Sequence, residues 1–224
     1  SVLRTINVFD PNANSGTIYL TFDDGPGAYT TQILDILDKY NIKATFFVTN
    51  NGSDEVLKEE YDRGHTIGLH TATHQWSIYN SVSSYFDDLN SVQARVERVT
   101  GKRSSYIRFP GGSSNTISRS RSKGIMTTLT GKVQEEGYKY FDWNVCVEDA
   151  GACAKRNVSD REACVYNYFT GYLSKNRVNV VLLHDIKSYT ANALEQMIKY
   201  GLEQGYTFKA INDDTPMIHQ RVNN

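Results

Sequence analysis

Thr17-Ile18-Tyr19-Leu20-Thr21-Phe22-Asp23-Asp24-Gly25-Pro26-Gly27 is the stretch from which the rest of the chain is read. The run Thr17 to Phe22 predicts a buried strand that stops at two adjacent carboxylates and a Gly-Pro-Gly turn. Two anions this close disfavour each other's ionisation. A cation or an arginine relieves that cost. The rest of the chain is therefore searched for metal ligands and for a positive partner.

Outward from this strand, apolar runs and helical stripes alternate. Ile33, Leu34, Ile36 and Leu37 form a helical stripe within Thr30 to Tyr40, and Ala44 to Val48 reads as the next strand. Ser53 to Arg63 predicts a helix with Ser53 as N-cap and Gly64 just past its end. Thr66 to Leu69 is a strand, and Val82 to Val99 a long amphipathic helix. Tyr106 to Phe109 predicts a strand stopped by Pro110-Gly111-Gly112, followed by a helix over Ile117 to Glu136 interrupted at Gly124. Tyr138 to Val145 (strand), Asp160 to Leu173 (helix), Val178 to Leu183 (strand), Ala191 to Gln204 (helix) and Phe208 to Ile211 complete the series. The nearly continuous apolar run Val178 to Leu183 suits a strand covered on both faces. Alternation of this kind predicts an α/β fold with a parallel sheet, and about seven βα units favour barrel-like closure. With no repeat or linker, residues 1–224 are expected to form one domain, with 1–15 as an N-terminal arm.

The polar groups that could do chemistry fall at strand ends. Asp23 and Asp24 follow the first strand, His70 and His74 the third; Arg108 lies near the end of the fourth and His184-Asp185 follow the Val178 run. Parallel barrels place their active sites at that rim. His70-Thr71-Ala72-Thr73-His74 is weak evidence for a metal by itself, since histidines four apart arise by chance. Two imidazoles with a strand-terminal carboxylate, however, make a three-ligand set with open positions, the layout of a catalytic metal. Taken singly, Asp23 reads as a turn carboxylate, Arg108 as a structural ion pair and His184 as a core histidine. Their joint placement argues against all three. His65 and His219 have no partner in the pattern and read as structural.

Composition removes several function classes. The chain has 24 Lys+Arg against 25 Asp+Glu and a formal net charge of −1, and it lacks a dense basic run, so nucleic acid is not the expected partner. No apolar stretch approaches the roughly 18 residues a transmembrane helix requires, so no membrane contact is expected from this segment. The sequence opens on Ser1 rather than Met, the form expected of a mature or trimmed fragment. Among three cysteines, Cys153 and Cys164 flank a polar segment and could pair in an oxidising compartment, leaving Cys146 free. Fifteen tyrosines would suit sugar contact, though most are accounted for as sheet and helix edges.

Thr21-Phe22-Asp23-Asp24-Gly25-Pro26, His70-Thr71-Ala72-Thr73-His74, Arg108-Phe109-Pro110-Gly111-Gly112 and Leu182-Leu183-His184-Asp185, in this order, resemble the signature motifs of polysaccharide deacetylases, the NodB-homology enzymes of carbohydrate esterase family 4. The resemblance implies a distorted (β/α) barrel of about seven parallel strands. It also implies metal-dependent removal of acetyl groups from sugars. By motif, Asp24, His70 and His74 would hold one divalent ion, zinc first, with cobalt, nickel or manganese as alternatives. Asp23 would be the general base, Arg108 its partner, and His184 the general acid that protonates the leaving amine. Substrate contacts would fall to Pro110, Gly111, Trp143 and Leu182. Trp76 is equally a sugar platform or a rim packer.

One motif departs from the family pattern of Asp-x-x-Asp-Trp, whose first Asp supports the catalytic histidine. Here the run is Asp142-Trp143-Asn144-Val145-Cys146-Val147-Glu148-Asp149-Ala150, which places Cys146 at that Asp and Ala150 at the Trp. Asp142 and Asp149 are the remaining candidates for the partner of His184. The implied substrate is an acetylated glycan polymer, N-acetylglucosamine in peptidoglycan first, then chitin oligosaccharides, then acetylated xylan. The rivals are a catalytically silent carbohydrate binder and a metallohydrolase of non-sugar amides. A monomer outside the cell or at its wall is expected.

Overall fold

The computed structural model describes residues 15–224; the expected N-terminal arm lies almost wholly outside the described residues. The element order is β1 (Thr17–Asp23), α1 (Thr30–Lys39), β2 (Thr45–Val48), α2 (Asp54–Asp62), β3 (Thr66–Leu69), α3 (Val82–Thr100) and β4 (Tyr106–Ile107). There follow α4 (Ile117–Arg121), α5 (Ile125–Glu135), β5 (Lys139–Tyr140), β6 (Val145–Cys146), α6 (Arg161–Tyr172), β7 (Asn179–His184), α7 (Ser188–Glu203) and β8 (Thr207–Phe208). Ser53 caps α2 by accepting from the Val56 amide at 3.2 Å, and Ser81 caps α3 through the Ser84 amide at 3.0 Å. Gly124, at φ 80°, breaks the Ile117 to Glu136 segment into α4 and α5.

The strands lie in the order β5-β4-β3-β2-β1-β7-β6, every pair parallel, with β8 against the start of β1. The sheet curls into a half-barrel that is open between β5 and β6. That opening corrects one expectation. Tyr138 to Val145 reads as a single strand, yet the chain leaves the sheet after Tyr140 and re-enters on the opposite edge at Val145. The Asp142 amide donates to the Ile218 carbonyl at 2.8 Å, so the C-terminal segment occupies the gap.

Two apolar layers follow from strand alternation. The larger core lies between sheet and helices and includes Ile18, Leu20, Phe22, Phe46, Leu69, Val181 and Leu183. The smaller fills the barrel and comprises Tyr19, Phe47, Phe141, Val178, Val180 and Ile211. Tyr19, Thr21 and Asp23 share the inner face of β1, as Val180, Leu182 and His184 share that of β7. The inner cluster is thus the floor on which the polar groups stand. Among the described residues no helix is long and apolar enough to cross a membrane.

Candidate active site

Parallel register brings the strand ends to one level: Asp23 pairs with Phe47 on one side and with His184 on the other. Arg108 fills the barrel interior beneath them and is fully buried. Its guanidinium donates to Asp23 Oδ1 at 2.9 Å, to Thr21 Oγ1 at 2.7 Å, and to the carbonyls of Phe141 and Asp142 at 2.9 and 3.1 Å. The same group lies 4.3 Å over the Phe47 ring. A buried cation with this many fixed partners is a rigid anchor for the Asp23 carboxylate. Burial pushes the Asp23 pKa up, but Arg108, followed by His70 and His184, outweighs it, and the carboxyl sits below its ordinary value.

Beside this pair, one ligand atom each from Asp24, His70 and His74 lies within 4.8 Å of the others. Asp24 Oδ1 is 3.5 Å from His70 Nε2 and 3.6 Å from His74 Nε2. This oxygen is buried and has no hydrogen-bond partner. His70 Nδ1 is 2.8 Å from the Arg108 carbonyl, which can only accept, so Nδ1 carries the proton and Nε2 turns a lone pair toward Asp24. Burial lowers the His70 pKa more than the neighbouring Asp23 and Asp24 raise it, which keeps the ring neutral and ready to ligate. An orphaned carboxylate oxygen facing an imidazole lone pair is a poor arrangement alone and a good one around a cation. The residues fit a divalent metal.

Backbone strain gathers here. Among the described residues, four of the five non-glycine positions with positive φ are Asp24, Thr71, His74 and Glu148. Thr71, a β-branched residue at φ 63°, is the costliest of them. Such conformations cost of order 1–3 kcal/mol each and persist where the surroundings over-determine them. The Thr71 hydroxyl accepts from the His74 amide at 3.2 Å, closing the turn that carries the second imidazole.

His184 faces the cluster from β7, with Nε2 3.9 Å from Asp24 Oδ2. Its Nδ1 is 2.7 Å from Asp149 Oδ1, and its amide donates to Asp149 Oδ2 at 2.7 Å. Thr190 Oγ1 donates to the same Oδ2 at 2.7 Å, and the Tyr189 hydroxyl donates to the Asp149 carbonyl. Burial pulls the His184 pKa down, yet the charge and hydrogen bond of Asp149, with Asp23 and Asp24 behind it, raise it to about 9. Asp149 therefore stands where the motif comparison put Cys146. Cys146 is half-buried and free, its thiol pushed up to about 12 by burial. Asp142 serves the fold instead, accepting from the amides of Ser113 and Gln220, both at 2.8 Å, and from the Ser113 hydroxyl. Chain spacing could not single out Asp149, because it reaches His184 only through the left-handed turn at Glu148.

The remaining candidates lie around this centre at different depths. Trp143 is half-buried beside Gly112, its ring 5.5 Å from the Arg108 guanidinium. It also walls a cavity of about 300 Å³ shared with Cys146, Glu148, Tyr168 and Tyr172. Gly111 is exposed next to Trp76, and Trp76 packs edge-on to His74 at 5.4 Å. Pro110 is buried, with its carbonyl accepting from the Tyr79 hydroxyl at 2.7 Å. Leu182 is buried two residues below His184 on the same strand face. Asp185 turns away from the cluster to accept from Thr30 Oγ1 at 2.7 Å, and burial raises its pKa to about 7. His65 is buried, with Nδ1 accepting from the Ala44 amide at 3.0 Å. His219 stacks on Tyr140 at 3.6 Å.

A family model described as polysaccharide deacetylase matches residues 10–128. A putative polysaccharide deacetylase, YheN, of Bacillus subtilis (strain 168) is 31% identical over 215 residues, covering 93% of this chain and 72% of the relative. A peptidoglycan-N-acetylglucosamine deacetylase of Bacillus cereus is 30% identical over 200 residues, covering 88% and 70%. The crystal structure of the catalytic domain of a peptidoglycan N-acetylglucosamine deacetylase from Eubacterium rectale superposes with a TM-score of 0.90 at 46% identity, covering 95% of this chain and 96% of that one. Family model, relatives and fold agree with the motif order read at the strand ends: this chain belongs to the polysaccharide deacetylase family.

Proposed function

We propose that the chain is a metal-dependent hydrolase that removes N-acetyl groups from N-acetylglucosamine residues of peptidoglycan. One observation carries the chemistry. A carboxylate held ionised by Arg108 and an imidazole held protonated by Asp149 flank one cluster of Asp24, His70 and His74. Two titratable groups whose surroundings push their pKa values apart are an acid and a base in waiting. Asp24, His70 and His74 would hold the divalent ion, zinc first among those that suit two imidazoles and a carboxylate. When bound, such an ion supplies Lewis acidity, favouring ionisation of water near neutral pH and polarising the acetyl carbonyl.

The chain's own residues account for the protons. Asp23 Oδ2 is 3.5 Å from His70 Nε2 and faces the cluster, while Oδ1 is committed to Arg108. Asp23 takes a proton from the attacking water. His184 gives its Nε2 proton to the departing nitrogen, which leaves as an amine while acetate forms. An amine cannot leave as an anion near neutral pH, so the imidazole must begin charged, and Asp149 ensures that it does. The silent-binder alternative rested on Cys146 replacing a carboxylate. Asp149 beside His184 Nδ1 supports turnover over silent binding.

Peptidoglycan is favoured over chitin and xylan because the relatives in Bacillus cereus and Eubacterium rectale are peptidoglycan N-acetylglucosamine deacetylases. We read residues 1–224 as one domain, monomeric, acting at the cell wall or outside the cell, with Trp143, Gly111, Pro110 and Leu182 as substrate contacts. Acetate release from peptidoglycan, N-acetylglucosamine pentamer and acetylated xylan tests this reading. The expected order places peptidoglycan first, with release abolished in Asp23→Asn. Release from none of the three by zinc-loaded protein would overturn it.

A further inference from the structure

We propose that the Cys153–Cys164 disulfide, together with Thr190 and Tyr189, is a positioning device for the His184–Asp149 pair, so that amide hydrolysis is fastest in the oxidised chain. This rests on His184 being the general acid. Asp149 comes from neither a strand nor a helix. It sits in the connection between β6 and α6, three residues beyond the strand, just after the left-handed turn at Glu148.

That connection folds on itself. The Glu148 carbonyl accepts from the amides of Gly151 and Cys153 at 3.1 and 2.9 Å, and the Glu148 carboxylate accepts from the Ala152 amide at 3.2 Å. Cys153 is fully buried, its sulfur 3.5 Å from the Val147 carbonyl oxygen. The contact is not a hydrogen bond, because a disulfide sulfur carries no proton. The bridge to Cys164 then fastens this turn to the first turns of α6. Arg161, at the start of α6, lies 5.5 Å over the Tyr189 ring, whose hydroxyl holds the Asp149 carbonyl. Thr190, the next residue of α7, holds Oδ2.

Asp149 is therefore clamped from β7, from α7 and, through the disulfide, from α6. Of these, the disulfide is the covalent tie between the connection and α6, where Arg161 Nε also donates to the Arg156 carbonyl at 3.1 Å. Opening the disulfide lets the connection sample positions in which Asp149 no longer meets Nδ1. The imidazole then loses its orientation, while Asp23, Arg108, Asp24, His70 and His74 stay on other elements.

The readout exploits the leaving group. An amine needs the proton of His184; 4-nitrophenolate leaves unaided. Zinc-loaded wild type is assayed on N-acetylglucosamine pentamer and on 4-nitrophenyl acetate, oxidised, reduced with tris(2-carboxyethyl)phosphine, and reoxidised. Cys153→Ser/Cys164→Ser and Thr190→Val are assayed beside it, with His184→Ala as reference. Reduction and both variants should lower kcat on the pentamer by about tenfold or more. KM and 4-nitrophenyl acetate turnover should stay within about twofold. Reoxidation should restore the wild type. A pentamer kcat within about twofold of wild type in the reduced form and the cysteine variant overturns the inference. A parallel loss on both substrates also overturns it, because the disulfide is then merely structural. If His184→Ala loses the pentamer selectively and the cysteine variant does not, the inference alone fails. If His184→Ala shows no selective loss, the general-acid reading fails and takes the inference with it.

Discussion

Asp149→Asn separates the two things a carboxylate does for a catalytic histidine. The variant keeps an oxygen that can accept from Nδ1–H and loses the charge that, against burial and ahead of Asp23 and Asp24, does most to hold His184 near 9 rather than the ordinary 6.5. The difference corresponds to roughly 3 kcal/mol between the protonation states, at about 1.4 kcal/mol per pKa unit. At pH 7 an imidazole of ordinary pKa is about one-quarter protonated, whereas one near 9 is almost wholly so, which makes population alone worth about fourfold. Orientation adds to this, because either placement of the replacement amide sets its NH2 against a donor, the His184 ring on one side or the His184 amide and Thr190 hydroxyl on the other. We expect kcat for deacetylation to fall by about 100-fold at pH 7, within the range for general acids. The wild-type-to-variant ratio should shrink by about fourfold at pH 5.5, where both rings are charged, and the alkaline limb of the variant should move toward acid. An ion bound at Asp24 cancels that residue's share of the shift in both proteins, so the ratio is the sound quantity. Acetate release followed from pH 5 to 10 measures it. A ratio below about twofold at pH 7 with an unmoved alkaline limb would refute the reasoning.

Three further outcomes follow from buried ionisable groups. Arg108→Lys leaves the Asp23 carboxylate without a fork and the Phe141 and Asp142 carbonyls short of donors; urea denaturation should show a loss of about 3–5 kcal/mol, with deacetylation below a tenth of wild type. Burial and the nearby Lys43 hold His65 at about 4, so the unfolded chain binds a proton between pH 6.5 and 4 that the folded chain refuses. Its share of stability is present above 6.5 and falls by about 2–3 kcal/mol as pH drops toward 4, and the wild-type curve should be steeper there than that of His65→Gln. Glu60 is buried, neither carboxyl oxygen has a partner, and burial followed by Asp185 raises its pKa well above the ordinary carboxylate value. The folded state therefore resists an ionisation that the unfolded state undergoes. Glu60→Met should stabilise by about 1–3 kcal/mol at pH 8 and by less at pH 5, as thermal melts at the two pH values would show.

The parts of this molecule legible in the sequence are those in which residue type and strand position coincide. Asp23, Asp24, His70, Arg108 and His184 each follow or end an apolar run, and parallel register then leaves them little choice but one rim. The half-barrel's opening was not legible. Tyr138 to Val145 has the composition of one strand, and only pairing to β4 on one side and β7 on the other shows it to be two edges. The partner of His184 was hidden for a related reason. Alternation puts Asp142 and Cys146 on one strand face, but neither location matters once the chain leaves the strand. A single left-handed residue at Glu148 decides that Asp149 turns toward β7.

Deacetylation is proposed to depend on one ion held by Asp24, His70 and His74. Zinc added stepwise to chelated protein, with bound metal and acetate release from peptidoglycan read on the same samples, tests it most directly. Wild type should regain activity in proportion to bound zinc and saturate at one ion per chain, and His70→Ala should show neither binding in that range nor acetate. Full acetate release from chelated wild type, or from His70→Ala, would contradict the account.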